Sequence, residues 1–155
     1  MAEINPGVAV TACRERLTAA LSDRLFVYAD VIVDGLDNVR DRLLLQDAAH
    51  RLHVPLVHGA LAGFEGRIMT VYPGDPGLAL LYGKAGEEAE AKKRPEALLG
   101  VPAVTAAVIG SLQAMEVLKV LLGRGEPIRN AILHVDLENG RWETFRFDGD
   151  AGGKS

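Results

Sequence analysis

Between Val31 and Pro55 the hydrophobic pattern changes period, and the change marks the first elements. Val31, Ile32 and Val33 form an unbroken apolar run that empties into Asp34. A run without alternation predicts a central parallel strand covered on both faces. In "NVRDRLLLQDAAHRLH", Leu45, Ala48, Ala49 and Leu52 recur at helical spacing and share one face. Val54-Pro55 closes this helix, because the residue before a proline is pushed out of the α region. "PLVHGA", ended by glycine, and "GRIMTVYPG", stopped by proline and glycine, predict two further strands. Upstream, "GVAVTACRERL" predicts a strand leaving the turn at "NPG", and residues 18 to 27 predict a short helix capped by Thr18. A long helix is predicted from Pro102 to Leu122, with Gly123 and Gly125 as stop signals. Near the end, Asn139-Gly140 lies between two alternating runs, which predicts a hairpin. Residues 83 to 98 are polar and predict a mobile loop, and residues 148 to 155 predict a disordered tail. Together these elements predict a single α/β domain over residues 1 to 155. Its strands are parallel at first and end in an antiparallel hairpin, with a long buried C-terminal helix.

Composition narrows the classes of partner. The net charge of −4 supplies no field to hold nucleic acid. The one cysteine, Cys13, cannot form an internal disulfide, and a lone thiol behind no signal peptide predicts a cytoplasmic chain. Cys13 falls on the early predicted strand and is expected in the core rather than as a nucleophile. The apolar run of the long helix is broken by Gln113, Glu116 and Lys119, so it predicts a buried helix of a soluble domain, not a membrane span.

Ligands of such sheets gather beyond the carboxyl ends of the strands. That places "DGLDN", residues 34 to 38, at the ligand edge. Gly35 permits a turn, and Asp37 and Asn38 then precede the helix. Two compatible readings follow. In one, Asp37 and Asn38 cap the helix by accepting from its first amides. In the other, a carboxylate binds Mg²⁺ directly or through water, and the neighbouring amide touches a nucleotide. Arg42, four residues after Asn38, faces back toward the cap, where a surface ion pair with Asp37 or Asp41 competes with an anion. His58, at the end of "PLV", predicts a hydrogen-bonded core histidine rather than a ligand contact. His50 and His53 are three apart without a third ligand and predict solvated helix residues, not a metal site. His134 predicts a solvent-facing residue. Trp142, Phe145 and Phe147 predict a hairpin packed on the long helix rather than a base-stacking platform.

"LDNVRDR" resembles the D-N-x-x-x-R signature of the ThiF/MoeB/HesA family, the ubiquitin-activating-enzyme-like adenylyltransferases. "INPGVAV", "PLVHGALAGFEGRIMTVYPG", "GSLQAMEVLKVLLGRGEP" and the hairpin "ILHVDLENGRWETFRF" resemble other stretches of that family in the same order, over roughly residues 4 to 147. The resemblance implies a partial Rossmann-like sheet and use of ATP with Mg²⁺. It also implies a partner, a small ubiquitin-like sulfur-carrier protein ending in Gly-Gly. AMP would be joined to the carrier's terminal glycine and pyrophosphate released, in thiamine or molybdenum/tungsten cofactor biosynthesis. By position, Asp37 is the catalytic, metal-linked and ATP-facing aspartate. Asn38 is its nucleotide-contacting neighbour, and Arg42, the arginine of the signature, joins the cofactor-binding set.

The chain also departs from that pattern. No G-x-G-x-x-G occurs, so no glycine-rich loop is present to cradle a triphosphate, and ATP binding is expected to be weak or partner-dependent. "PGLALLYG" stands where many members carry a zinc-binding cysteine pair, so no zinc is expected. The strand expected at Val8 to Ala12 would be left as an unpaired edge, to be covered by a second copy or by a chain supplying the missing N-terminal half. The chain is therefore expected to be the C-terminal portion of an adenylyltransferase, inactive by itself. A catalytically incomplete carrier-binding or scaffolding module is the alternative. A phosphoryl-transfer enzyme with Asp34 as nucleophile is the third reading, disfavoured by the three-residue spacing of Asp34 and Asp37.

Overall fold

The computed structural model describes residues 3–83 and 100–147. Helix α1 spans Ala19–Phe26, and the Thr18 hydroxyl accepts the Leu21 amide at its start. Strand β1, Ile32–Asp34, leads to helix α2, Val39–Leu52, whose N-cap is Asn38. The helix stops where His53 takes a left-handed conformation, φ 58°, and its amide bonds back to the last turn. Strands β2, Leu56–Ala62, and β3, Glu65–Val71, come next, followed by the short helix α3, Ala79–Tyr82. The long helix α4 is Ala103–Leu122, closed by Gly123 at φ 58°. Strands β4, Ala131–Asp136, and β5, Arg141–Arg146, form the terminal hairpin. In its turn the Asp136 carboxylate accepts both the backbone and side-chain amides of Asn139.

The five strands form one mixed sheet in the order β1-β2-β3-β4-β5. Only β1 and β2 are parallel, and every other neighbouring pair is antiparallel. The parallel character expected for the first strands thus stops at β2. Gly63 and Phe64 alone separate β2 from β3, and a two-residue connection can only return the chain antiparallel.

Five further expectations are corrected. Residues 8–12 form no strand; Val8 and Val10 are both 52% exposed, since no neighbouring strand pairs with them. Cys13 is consequently exposed rather than in the core. Strand β1 is an edge, and Val33 is 50% exposed because α4 lies over β2 and β3 instead. The long helix is buried along one stripe only, at Thr105, Ile109 and Glu116, while Val104, Met115, Leu118 and Leu122 of its opposite face stand open. Trp142 and Phe145 are half exposed on the edge strand β5, and of the three aromatics Phe147 packs against the core. The expected tail, and the expected mobile loop beyond Gly83, lie outside the described residues.

The core lies on both faces of the sheet. On one face Leu45 and Ala49 of α2 pack against Ile32, Leu56, Met69 and Val71, with Leu78 beside them. On the other, Ile109 of α4 meets Ile68 and Val135. Helix α4 can approach this closely because two strand positions lack side chains. A Cβ on Gly66 would stand 2.2 Å from Ile109 Cδ1, and one on Gly59 would stand 2.4 Å from the Gln113 side-chain carbon. Farther along the helix, buried Glu116 accepts the Thr70 hydroxyl at 2.6 Å and the Ile128 amide at 2.8 Å, tying α4 to β3 and to the approach to β4. By length and apolarity α4 is a helix that can cross a membrane; here its stripe is seated on the sheet through these contacts.

Gly66→Ala should lower stability by about 1–3 kcal/mol through overpacking. Adding Ile109→Ala should recover part of the loss, giving a non-additive double-mutant cycle in chemical denaturation. An additive cycle would show that the two positions do not compete for space.

Candidate functional site

Asp34 and His58 are register partners at the point where the parallel strands β1 and β2 run side by side. Both side chains are 0% exposed. His58 Nδ1 lies 2.6 Å from Asp34 Oδ2, and Asp34 Oδ1 accepts the Leu36 amide at 2.8 Å. From α2, Arg42 donates through Nε to the Leu36 carbonyl at 3.0 Å and through Nη1 to the Tyr82 hydroxyl at 2.9 Å. Its Nε is also 3.7 Å from Asp34 Oδ2. The Tyr82 hydroxyl is 3.4 Å from His58 Nε2, and the two rings meet edge to face. From the opposite face of the sheet, Gln113 Nε2 donates to the Asp34 carbonyl at 2.8 Å.

Burial holds the His58 pKa below its ordinary 6.5, against the opposing pull of the Asp34 hydrogen bond and charge. The imidazole is therefore neutral at pH 7. Its Nδ1–H donates to the carboxylate, which leaves Nε2 to accept the Tyr82 O–H. Tyr82 itself ends α3, and the turn before that helix is pinned by Asp75, which receives Arg129 Nη2 at 2.7 Å and Nε at 2.8 Å.

An outer layer covers this interior. Asp37 is exposed at the carboxyl rim. Asn38 caps α2, its Oδ1 accepting the Asp41 amide at 2.8 Å. Its Nδ2 donates to Asp41 Oδ2 at 3.0 Å and to Asp37 Oδ1 at 3.3 Å. Arg16 reaches across to the Asp41 carboxylate, with Nη2 at 3.0 and 3.2 Å from its two oxygens.

The structure brings Asp37 and Asn38 together at the rim and separates Arg42 from them. Arg42 is 6% exposed and partners the strand-end Asp34, not Asp37 or Asp41, so the expected surface ion pair is corrected. The reason is reach: one helical turn into α2, the guanidinium can fold under the ledge onto Leu36 instead of over it. Asp34 as a nucleophile is overturned, since its carboxylate is sealed from solvent with both oxygens hydrogen-bonded. His58 is the expected core histidine. His134 is partly buried and 3.8 Å from Glu65. His53 caps α2, and His50 is half-buried. Among the described residues no group of three or more His, Cys, Asp or Glu side chains is placed to hold a metal ion.

Three participants were not anticipated. Gln113, the uncharged polar break in the apolar helix, is recoverable from its pairing with Gly59. Tyr82 and Arg16 give no local signal, because their partners lie 24 to 40 and 25 residues away in the chain.

Arg42→Leu leaves Asp34 without its cation and Leu36 without its donor, and should cost about 3–5 kcal/mol, the scale of breaking a buried pair. Arg42→Leu combined with Asp34→Asn should cost less than the sum of the single losses, as read by denaturant midpoints.

The ThiF family profile matches residues 1–152. The chain is 34% identical over 145 residues to the SAMP-activating enzyme E1 of Haloferax volcanii, covering 93% of this chain and 53% of that protein. It is 37% identical over 139 residues to the sulfur carrier protein adenylyltransferase of Thermus thermophilus, covering 86% and 51%. To the molybdopterin-synthase adenylyltransferase of Escherichia coli it is 36% identical over 138 residues, covering 88% and 54%. The chain thus spans about half the length of the curated relatives it matches. Among solved structures, E. coli MccB with ATP superposes with a TM-score of 0.70 at 14% identity, over 97% of this chain and 47% of that one. PaaA gives 0.67 at 13% identity, over 94% and 52%. At such identities the likeness speaks for the fold. The family match takes in nearly all of the sequence, including the D-N-x-x-x-R segment whose aspartate and asparagine stand at the sheet's carboxyl rim: the chain belongs to the ThiF family.

Proposed function

We propose that this chain is the C-terminal, carrier-facing portion of an ATP-dependent adenylyltransferase that activates the terminal glycine of a small ubiquitin-like sulfur-carrier protein ending in Gly-Gly. The observation that carries the reading is the ledge at residues 35–38. Asp37 is open to solvent, while Leu36 beneath it is gripped at its amide by Asp34 and at its carbonyl by Arg42. The names of the relatives support the same chemistry, since they are sulfur-carrier and molybdopterin-synthase adenylyltransferases.

When bound, Mg-ATP would supply the adenylyl group and a pyrophosphate leaving group. One exposed carboxylate, Asp37, fits Mg²⁺ as a shared ligand, with phosphates and water completing an octahedron. It does not fit a protein-only cage. Asn38 would touch the nucleotide at the edge of its cap. Arg42 serves the cofactor from below, fixing Leu36 while its own guanidinium is occupied. No G-x-G-x-x-G is present in these 155 residues, so the amides that grip the triphosphate would come from outside them. With a single cysteine, zinc has no part in this reading. The reading places the chain in the cytoplasm, in thiamine or molybdenum/tungsten cofactor biosynthesis.

A second reading is a carrier-docking module without chemistry. One observation favours it: the Asn38 amide is spent at both ends on Asp41.

ATP–pyrophosphate exchange separates the two. With a Gly-Gly carrier and a phosphate-gripping segment supplied in cis or in trans, exchange should appear. Asp37→Ala should then reduce it roughly 100-fold, the scale of losing one preorganised electrostatic contact, while carrier capture in a pull-down stays unchanged. Capture without exchange under any condition would favour the docking module, and absence of capture would refute both.

A further inference from the structure

Leu36 lies within a closed circuit of hydrogen bonds whose two donating arms leave Arg42 and converge on Asp34. Arg42 Nη1 donates to the Tyr82 hydroxyl, that hydroxyl faces His58 Nε2, and His58 Nδ1 faces Asp34 Oδ2. Asp34 Oδ1 then takes the Leu36 amide, and the Leu36 carbonyl takes Arg42 Nε. The Leu36 side chain is packed against the core cluster of Ile32, Leu45 and Met69. A residue held at amide, carbonyl and side chain has little freedom left, and Asp37 and Asn38 are the next two residues.

The circuit is matched to the neutral imidazole. With Nδ1–H given to Asp34, Nε2 is bare and accepts the Tyr82 proton, while the Tyr82 oxygen accepts from Arg42. A proton on Nε2 would turn that nitrogen into a second donor aimed at the same oxygen, and would place an imidazolium beside a guanidinium. The charged and titratable groups facing His58 are Asp34 from β1, Arg42 from α2, Arg67 from β3 and Tyr82 from α3. Of these only Asp34 favours the imidazolium, whereas both arginines and burial oppose it. Helix α4 contributes an uncharged amide, Gln113, which binds the Asp34 carbonyl from the other face.

We propose that His58 and Tyr82 are positioning residues for the Asp37–Asn38 ledge, acting through Leu36, and that proton uptake by His58 breaks the circuit and loosens the ledge. The catalytic consequence rests on the function proposed above; the structural one does not. The sign follows from the neutral native imidazole. The unfolded chain takes up a proton near pH 6.5, whereas the native chain resists until lower pH, so the intact circuit has its full stability above 6.5 and loses it progressively as pH falls below that.

Hydrogen exchange on the full chain tests this without any activity. Between about pH 7.5 and about pH 5, after correction for intrinsic rates, protection of the Leu36 amide should fall roughly tenfold more than that of core amides such as Ile68 and Ile109. His58→Gln retains a donor for Asp34 but cannot take up the proton, so it should flatten that response. Tyr82→Phe, a small change at a half-buried site, should lower Leu36 protection at every pH. The same pH response in wild type and His58→Gln would overturn the proposal, as would loss of Leu36 protection only in step with the core amides. In the pyrophosphate-exchange assay, His58→Gln should move the acid limb of the kcat profile and leave the carrier KM in place; an unmoved limb would overturn the catalytic consequence. If no variant exchanges pyrophosphate, the proposed function fails, and the Leu36 amide still decides whether the circuit exists.

Discussion

A carboxylate taken wholly out of water has to be met on every side, and Asp34 is such a group. Much of the surrounding arrangement can be traced to that demand. Its side-chain oxygens require donors, and the Leu36 amide and His58 provide them. Its charge requires compensation, which comes from Arg42 at 3.7 Å. Its carbonyl, at the edge of the sheet, takes a donor from the other face, where Gln113 must pass over β2 to reach it. That passage is why position 59 is glycine, since any Cβ there would stand within 2.4 Å of the glutamine. One buried charge thus links the end of a strand, the first turn of α2, the seating of α4 and the tip of α3.

The same constraint fixes the backbone beneath the rim. Groups on flexible loops are poor at holding a cofactor in a fixed pose, because order must be imposed at the moment of binding. Here the loop between β1 and α2 is only four residues, Gly35 to Asn38, with Leu36 fixed below and Asn38 fixed as the cap. Asp37 stands exposed at the rim, its Oδ1 accepting the Asn38 side-chain amide at 3.3 Å. Arg42, at the signature's last position, belongs to the support: a guanidinium with a planar fork can hold a carbonyl and a phenol together in a way that an ammonium cannot.

What could be read from the sequence follows from which interactions are local. The Thr18 cap, the Asn38 cap, the span of α4 and the hairpin at Asn139-Gly140 all depend on residues within a few positions of each other, and all are found. Two errors have a common origin. "VIVD" and the valines at 8 and 10 carry strand propensity, but propensity does not specify a neighbour. β1 pairs on one side only, and the early segment pairs with nothing among the described residues. The α4 error is similar. Its apolar residues circle the helix, so periodicity could not show that one stripe would be covered and the rest left open. At the site, the D-N-x-x-x-R signature points to Asp37 and Asn38, and both stand at the carboxyl rim. His58 is legible as a core histidine but its partners are not, because nothing in "PLVHGA" shows that Asp34 is its register partner or that Tyr82 closes over it.

Among the described residues, the open surface of α4 and the open edge of β1 are two places where this fold leaves its own rules unmet. Val33 and the Met115, Leu118 and Leu122 face are apolar and close to half exposed or more, and a soluble domain rarely leaves a continuous apolar face in water. Both features lie away from the α2 side of the sheet, where the buried circuit around Asp34 is complete within the described residues. The ledge therefore draws its rigidity mainly from the α2 side of the sheet. The direct bridge between the two sides is Gln113, which reaches from α4 to the Asp34 and Val57 carbonyls. A shift of α4 would reach the ledge most directly by moving that one amide, and Gly59 beneath it leaves room for the amide to sit close without forcing the strand apart.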